Sequence, residues 1–401
     1  MSQRLARANE RRLQLAAHPI LYPVASMAAR LGPVVAVPGL GHVVSDLGLA
    51  REVLASPQRF SKTGPGALSS ALTSVFGPRA LVNMDGPAHT ALRAQLQPLV
   101  TSASMRALVE RQFAPPMTDA VARLTRGARV DVARLANILT GRLACAMVGI
   151  SLPEGREDQT CLELHEASVE FTRVLTLAGR SLDVARLELA RQKFQALTRF
   201  ARAAFDTGSE ETVPGRLRAL GLDFEASCGV IGLMLLAGTE TTASALPRTA
   251  ALLLDTGQWD RLRNDRRLLD GTVNEGLRLT AAVPVMTRNV VANTTLGGRA
   301  LAADTRVIVL LFHILRTRSA VELDPLDFDI ARATDRSARG SPWFGHGPHF
   351  CLGAALARHQ LSCALGILLD AGPLRIVQRC SARRRLLPAY ASLTLARQEA
   401  R

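Results

Sequence analysis

Apolar positions recur at helical spacing through the central half of the chain, from about His89 to about Leu279. Turn-forming residues interrupt this pattern at Pro115-Pro116, Gly127, 151–158 and 206–215. The pattern predicts a body of consecutive α-helices over roughly residues 85–282. The helical spacing returns near the C-terminus and predicts a last helix within 352–370.

Short runs rich in β-branched residues lie on both sides of the helical body. They predict a hairpin over 32–46, small sheets built from 289–296 and 305–310, and a second hairpin in the tail, 380–397. The stretch 56–87 is instead rich in Ser, Gly and Pro, and is predicted to be a long surface loop.

These elements predict a mainly α fold with small β-sheets, in which a helix-rich body packs beside a small β-rich region. The β-rich region is expected over roughly 20–60, 283–312 and 374–396. Because no internal repeat or low-complexity linker divides the chain, residues 1–401 are expected to form a single domain.

A cytoplasmic protein without a membrane span is expected. The apolar stretch 229–238 has about half the ~20 residues that a bilayer requires. The first 20 residues carry arginines but lack the apolar core and cleavage site of a secretory signal.

The charge balance is strongly basic: 49 Lys and Arg residues stand against 34 Asp and Glu residues, for a net charge of +15. Nucleic acid is disfavoured as a partner because the basic residues are dispersed and aromatic residues make up only 4% of the chain. An acidic protein partner steered by a basic face fits the same numbers, as does a merely solvated surface.

Six cysteines are spread over the chain without a CxxC pair, which argues against a disulfide framework or a zinc ribbon. One of them, Cys351, lies in the sequence WFGHGPHFCLGAALAR, where a Gly-Pro loop meets a predicted helix. Unpaired N–H groups at a helix start stabilise a thiolate, which can act as a nucleophile or as a metal ligand. A lone cysteine is more often a small core residue.

The spacing around Cys351 resembles the haem loop of the cytochrome P-450 superfamily, F-x-x-G-x-x-x-C-x-G, with Phe344, Gly347 and Gly353 in the matching positions. The resemblance implies that Cys351 ligates the iron of haem b and that Phe344 shields the sulfur from water. The glycines, Gly345 included, would allow close approach of the backbone or positive φ angles.

The same resemblance assigns further groups to the haem carboxylates. The sequence HTALR provides His89 and Arg93, four residues apart and therefore on one helical face. Arg288 lies where the family has another propionate-binding arginine, and His349 lies where it has a further donor. Basic groups facing two carboxylates make electrostatic sense.

The sequence LAGTETTAS resembles the family's stretch over the distal face of the iron. The resemblance implies that Ala237 and Gly238 lie against the haem and leave room for dioxygen. Thr241 would hydrogen-bond the dioxygen, and Glu240 would relay protons. The alternative is that these hydroxyl groups simply bond back to helix carbonyls.

Glu275 and Arg278 resemble the family's E-x-x-R pair, with a structural role behind the haem loop. The chain departs from its relatives downstream, where Asp327 is expected in the place of the arginine that would complete this cluster. A second departure is Pro247, which is expected to kink or locally open the helix that carries Thr241.

The implied activity is that of a haem-thiolate monooxygenase that inserts one atom of O2 into an apolar small molecule, a terpenoid or polyketide-like compound of secondary metabolism, by hydroxylation or epoxidation. Electrons would come from a ferredoxin with its reductase, received at a basic face. That face is expected to include Arg106, Arg111, Arg339 and Arg358. The substrate pocket is expected to include Leu233, Leu236, Val283, Val285, Met286 and Ser392.

Two other functions remain open at this point. A haem-thiolate sensor without turnover would keep Cys351 but have no use for Glu240 and Thr241. A cysteine-nucleophile enzyme would bind no haem, and would need His346 or His349 as its base.

Overall fold

The fold is described from a computed structural model of the chain. It describes residues 2–398 except 66, 68, 78, 177–183, 319, 322–323 and 333–341.

The α-helices of the described residues are α1 (Gln3–Ala17), α2 (Leu21–Leu31), α3 (Leu47–Ala55), α4 (Ser69–Phe76), α5 (Gly86–Leu96), α6 (Ser102–Thr125), α7 (Val132–Val148), α8 (Glu157–Thr176), α9 (Val184–Thr198), α10 (Arg202–Thr207), α11 (Val213–Ala219), α12 (Phe224–Asp255), α13 (Trp259–Asn264), α14 (Leu269–Thr280), α15 (Leu311–Ile314) and α16 (Ala354–Leu368). The predicted helical body and the predicted last helix are thus both present.

The strands of the described residues are β1 (Val34–Val37), β2 (Gly41–Val44), β3 (Phe60–Ser61), β4 (Val130–Asp131), β5 (Met286–Val290), β6 (Thr294–Leu296), β7 (Arg299–Leu301), β8 (Arg306–Val309), β9 (Leu374–Ser381) and β10 (Tyr390–Arg397). They form a five-stranded sheet in the order β1-β2-β8-β5-β3, a three-stranded sheet in the order β4-β10-β9, and the β6-β7 hairpin. Only the β2-β8 pairing is parallel. Both predicted hairpins, β1-β2 and β9-β10, are confirmed.

Helix α12 runs through the middle of the helical body, where it packs against α7, α8, α14 and α16. Asp223 caps its start by accepting a hydrogen bond from the Ala226 N–H at 2.7 Å. The helix is mainly apolar and mostly buried, and it continues without a break through Pro247, where the sequence predicted a kink or local opening. The chemistry-bearing residues of this helix are therefore held on a rigid, central element.

Two sequence predictions were wrong in detail. Pro115 and Pro116 do not end a helix but lie inside α6. The flanking residues Phe113 and Met117 are fully buried in the core shared with α16, so tertiary packing offsets the missing backbone hydrogen bonds. The predicted loop 56–87 contains the helix α4 and the short strand β3.

Within the described residues, two helical stretches are long and apolar enough to span a bilayer by length and composition alone: Phe224–Asp255 and Gly347–Ala371, each with a mean hydropathy of 1.3. The first contains the segment 229–238 that the sequence analysis judged too short. In the most apolar window of these stretches, 72% and 44% of the residues, respectively, are buried inside the protein. The absence of a membrane span stays a prediction.

Candidate active site

The cysteine loop consists of two short 3₁₀ turns, Pro342–Phe344 and Gly347–His349, followed by Cys351 and then α16. The Cys351 N–H donates to the Phe344 carbonyl at 2.9 Å, which closes the loop. Gly345 and Gly347 have φ angles of +82° and +70°, as the sequence predicted. A Cβ atom on Gly347 would also lie 2.5 Å from the Leu54 carbonyl oxygen.

Of the two roles predicted for the glycines of this loop, a positive φ or a close approach of the backbone, Gly353 does not have the first. Its φ is −89°, an ordinary value that any residue adopts. No heavy atom of the described chain lies within 4 Å of the position that a Cβ would take. Gly353 therefore faces open space on the same turn as the Cys351 sulfur.

The Cys351 thiol lies deep in the protein and yet has accessible surface. Burial raises the pKa of this thiol, while the Gly353 N–H and the positive charge of Arg93 act in the opposite direction. The sulfur therefore borders an internal space, and its thiolate needs a further positive charge to be stable at neutral pH.

Aromatic side chains cover the inner side of the loop. Phe344 is buried, with its ring centroid 6.1 Å from that of Phe350 and 6.4 Å from that of Trp343. The guanidinium of Arg358 stacks on Phe344 at 5.4 Å and donates to Asn274 Oδ1. Arg358, predicted to lie on an open basic face, is thus half-buried against the back of the loop.

The residues predicted to meet the haem carboxylates converge from distant parts of the chain. The rings of His89 on α5 and His349 in the cysteine loop lie 4.2 Å apart, centroid to centroid. His349 Nε2 lies 2.7 Å from Asp85 Oδ1. The pKa of His89 is lowered to about 4 by burial and by the charges of His349, Arg93 and Lys62.

Arg288 on β5 belongs to the same group and is nearly fully buried, at 2% exposure. Burial lowers the pKa of this guanidinium to about 10. Its only hydrogen bond to the described part of the chain goes to the neighbouring Thr287 carbonyl, at 2.8 Å. A buried guanidinium that lacks a carboxylate partner indicates a site for an anion.

Sequence reasoning missed two members of this group, Lys62 and Asp85. Asp85 Oδ2 accepts hydrogen bonds from the Ser61 hydroxyl and from the Lys62 N–H, both at 2.6 Å. Burial and the charge of Arg288 lower the pKa of Lys62 to about 7, against the attraction of Asp85. The one sequence feature that could have drawn attention to Lys62 is the rarity of lysine, which accounts for two of the 49 basic residues.

On α12, Ala237 is exposed although most of the helix around it is buried. A Cβ atom on Gly238 would make ordinary contact with the Ala144 side chain of α7, at 3.7 Å. The Thr241 hydroxyl donates to the Ala237 carbonyl at 2.8 Å, the back-bonded arrangement that the sequence left open as an alternative. Its oxygen can still accept a hydrogen bond from a second group.

Glu240 is 7% exposed and points away from Thr241, toward α8, where its Oε2 accepts a hydrogen bond from the Thr172 hydroxyl at 3.3 Å. Its Oε1 is buried and has no hydrogen-bond partner within the described part of the chain. Burial raises the pKa of Glu240 to about 7, while Thr172 and the more distant Arg385 lower it. This carboxyl can therefore both hold and release a proton near neutral pH.

The predicted pair of Glu275 and Arg278 is fully buried and bidentate, with contacts of 2.7 and 2.8 Å. The prediction for Asp327 was wrong. Arg332 occupies the third place of this cluster, with its Nε 3.1 Å from Glu275 Oε1. The Asp327 carboxylate turns outward to Arg7, and its backbone carbonyl accepts from Arg278 at 3.0 Å.

The six residues predicted to line the substrate pocket lie on α12, on and before β5, and on β10. Val283 and Val285 are 38% and 40% exposed, as side chains facing a pocket or solvent would be. Leu236 is buried, whereas Leu233, Met286 and Ser392 are half-buried. The contacts among the described residues do not bring all six side chains together. A surface pocket of about 390 Å³ beside Arg332 contains none of them. Their common role stays a prediction.

Of the predicted basic face, Arg106 and Arg111 are exposed on α6, which packs against α16. Arg358 lies half-buried on α16, and Arg339 lies outside the described residues.

Comparison with known proteins gives consistent matches. The cytochrome P-450 family profile matches residues 257–371. The chain is 30% identical over 300 residues to the 20-oxo-5-O-mycaminosyltylactone 23-monooxygenase of Streptomyces fradiae, covering 74% of this chain and 68% of that protein. It is also 30% identical over 332 residues to cytochrome P-450-SU2 of Streptomyces griseolus, covering 80% and 77%. The solved structure of CalO2 resembles the fold with a TM-score of 0.79 at 24% identity, covering 96% of this chain and 97% of the other.

Proposed function

Because this chain belongs to the cytochrome P-450 family of haem-thiolate monooxygenases, we propose that Cys351 is its haem ligand and that it oxidises an apolar small molecule. The observation that carries this proposal is the arrangement around the Cys351 sulfur. The thiol borders an internal space at the start of α16. Arg93, whose charge acts on the sulfur, is half-buried and belongs to a group of basic side chains that includes the buried Arg288 and has few carboxylate partners.

The side chains present fit haem b. Lys62, Arg93 and Arg288 contribute positive charge, and Asp85 is the one carboxylate hydrogen-bonded within this group of described residues. The excess of positive charge suits the two carboxylates of the porphyrin. Gly353 leaves space beside the sulfur, where a side chain would intrude on a flat ring.

When bound, the haem would supply an iron that binds O2 and transfers to it the electrons delivered by a redox partner. Because burial raises the pKa of the Cys351 thiol, the thiolate would depend on the positive charge of the bound iron. The Gly353 N–H points at the sulfur and favours the thiolate, and Phe344 excludes water from the inner side of the sulfur. Arg93 adds positive charge near both the sulfur and the carboxylate-binding group.

Protons must reach the oxygen side of the haem, and α12 carries the groups that can move them. Glu240, with its pKa of about 7, holds a proton that it can release and regain near neutral pH. Thr241 uses its hydrogen to bond Ala237, so its oxygen is oriented to accept a hydrogen bond from the space beside Ala237.

The substrate is a terpenoid or polyketide-like compound that undergoes hydroxylation or epoxidation. The predicted lining residues are apolar apart from Ser392. Named relatives act on a macrolactone derivative and on a steroid, as their names state. A ferredoxin with its reductase supplies the electrons, and the exposed arginines of α6 suit an acidic protein.

The test of turnover is Thr241→Val in the purified haem protein, with Thr249→Val as its matched control. Thr249 lies on the same helix, and its hydroxyl donates to the Ala245 carbonyl at the same 2.8 Å. Spin-state titration against steroids, macrolactones and fatty acids first identifies the compound that displaces iron-bound water best.

With that compound, Thr241→Val is expected to convert NADPH consumption into hydrogen peroxide and to reduce product at least about tenfold. Thr249→Val should leave the ratio of product to NADPH unchanged. If the wild type and both variants made no product, and the spectra did not respond to Thr241→Val, the protein would be a haem sensor.

A further inference from the structure

A line of polar side chains on α8 runs away from Glu240 toward the protein surface. His165, Ser168 and Thr172 are spaced i, i+3 and i+7, which places them on one face of the helix over about 10 Å. That face packs against α12, because Thr172 donates to Glu240 Oε2 and Ser168 lies 3.3 Å, oxygen to oxygen, from the Thr239 hydroxyl. Ser168 and Thr172 are buried, whereas His165 is half-buried.

Three buried polar atoms along this line have no hydrogen-bond partner among the residues that the structure describes: Glu240 Oε1, His165 Nδ1 and Arg385 Nη1. Buried polar atoms in native proteins are paired with protein or with ordered water. Because the charge of Arg385 acts on both His165 and Glu240, these three atoms indicate a small hydrated space between α8, α12 and the turn that joins β9 to β10.

Arg385 places a positive charge at the outer end of this space. Its charge acts on both His165 and Glu240, and burial together with that charge lowers the pKa of His165 to about 4. The exposed side chain of Glu166, which follows His165 on α8, also acts on Arg385, so this end of the line reaches the surface. His165 is thus neutral at pH 7 and can accept and pass on a proton without holding it.

We propose that this line is the route by which protons enter the active site. A proton from solvent binds the His165 imidazole and passes through ordered water and the hydroxyl groups of Ser168 and Thr172 to the Glu240 carboxylate. At each transfer one O–H or N–H bond forms as another breaks, so His165 returns to its neutral form and one proton arrives. The route rests on the proposed role of Glu240 in proton delivery.

If these residues had only a structural role, their substitution would change stability rather than rates. If Thr172 only fixed the packing of α8 on α12, its hydroxyl could be replaced by a methyl group at a cost in stability alone. Proton transfer instead requires the hydroxyl and the neighbouring water, and changes rates with little effect on stability.

A high-resolution crystal structure of the haem-loaded protein gives the first test, which does not depend on turnover. We expect ordered water molecules within hydrogen-bonding distance of Glu240 Oε1 and of His165 Nδ1, joined into one chain. A dry, side-chain-filled contact between α8 and α12 would overturn the proposal.

The second test compares His165→Gln, His165→Phe and Thr172→Val with Thr140→Val. Thr140 is a buried threonine on α7 whose hydroxyl donates to the Ala136 carbonyl at 2.9 Å. The readouts are NADPH consumption, peroxide release and their ratio in H2O and D2O, with the compound selected by spin-state titration and without it. Peroxide release is informative even without product, because reducing O2 to H2O2 itself consumes two protons.

The expected result is a fall in kcat of about tenfold for His165→Phe and Thr172→Val, with KM unchanged and a larger solvent isotope effect. Thr140→Val should leave both values as in the wild type. If Glu240→Gln slows turnover but none of the three α8 variants does, the entry route is wrong and the proposed function stands. If Glu240→Gln has no effect either, the proposed role of Glu240 fails as well.

Discussion

Arg332 donates a hydrogen bond to the Glu275 carboxylate, with Nε 3.1 Å from Oε1. This fully buried carboxylate therefore forms ion pairs with two arginines, Arg278 and Arg332. Arg278 is bidentate to the same carboxylate and also donates to the carbonyls of Leu315, Pro325 and Asp327. Arg332 further donates to the carbonyls of Asp324 and Asp327. The cluster therefore ties α14 to the segment that leads into the cysteine loop.

The first prediction concerns the two arginines. Arg278→Met is expected to destabilise the protein by about 3–5 kcal/mol, because it leaves a buried carboxylate and several carbonyls with fewer donors. Arg332→Met should cost less, about 1–3 kcal/mol, because Glu275 keeps its bidentate partner. Thermal unfolding followed by haem absorbance measures both values.

The matched control is Arg7→Met, which removes the outward partner of the Asp327 carboxylate. Both side chains are partly exposed, at 42% and 24%, so this change should cost at most about 1 kcal/mol. If Arg7→Met were as damaging as Arg332→Met, then Asp327 rather than Arg332 would be the structural partner behind the loop.

The second prediction concerns Lys62 and haem retention. In the haem-free protein the pKa of Lys62 is about 7, lowered from 10.5, so this amine loses its charge as the pH rises from 7 to 9. Haem carboxylates favour the charged form, so haem binding takes up a proton in this range. Ligation of Cys351 as the thiolate releases a proton in the same range, because burial raises the pKa of this thiol above its ordinary value. The two proton changes oppose each other, so the haem affinity of the wild type should vary little between pH 7 and pH 9.

Transfer of haem to excess apomyoglobin at pH 7, 8 and 9 measures this effect. Lys62→Arg keeps the charge throughout, so only the proton released by Cys351 remains and haem affinity should rise with pH, by at most about tenfold per pH unit. Lys62→Met should bind haem more weakly at pH 7 and show the same rise. If both variants kept the flat profile of the wild type, Lys62 would not take up a proton on haem binding.

The third prediction separates two glycines of the cysteine loop. Gly347→Ala combines a φ of +70° with a Cβ 2.5 Å from the Leu54 carbonyl oxygen, so the fold is expected to lose stability with or without haem. Gly353→Ala has an ordinary φ and open space around its Cβ, so the haem-free protein should be as stable as the wild type.

Haem should distinguish the two variants, because a methyl group on Gly353 projects beside the Cys351 sulfur. Circular dichroism of the haem-free proteins and absorbance titration with haemin report stability and affinity separately. A Gly353→Ala protein that binds haem as the wild type does would show that the ring does not approach this residue.

How much of this site could be foreseen from sequence depended on the distance between its parts along the chain. The cysteine loop was predictable because its glycines, Phe344 and Cys351 form one local backbone structure with fixed spacing. Asp85 meets His349 across 264 residues, and no local pattern encodes such a contact. Lys62 acquires its role only through burial by other segments.

The misassigned Asp327 was a different kind of error. The segment DPLDFDIAR does contain the required arginine, but five residues farther along than expected. Chain position alone could not show that the Asp327 side chain turns outward while its carbonyl turns inward to Arg278. Packing decides this, since the Arg278 guanidinium needs acceptors on several sides.

The fourth prediction concerns the pH dependence of stability that Glu240 imposes. The pKa of its carboxyl is about 7 in the folded protein and near 4.5 in the unfolded chain. Between these values the folded state retains a proton that the unfolded state has lost, so stability falls as the pH rises from 4.5 to 7. Above pH 7 the full penalty remains, on the order of 3 kcal/mol.

Glu240→Gln removes this ionisation while its amide oxygen can still accept the Thr172 hydrogen bond. The variant should therefore unfold at a higher temperature than the wild type above pH 7, with the difference vanishing toward pH 4.5. Glu225→Gln, an exposed glutamate in the first turn of the same helix, should change stability by less than about 1 kcal/mol. If Glu240→Gln instead destabilised the protein above pH 7, the carboxylate would be ionised and paired with Arg385, and could not serve as a proton carrier.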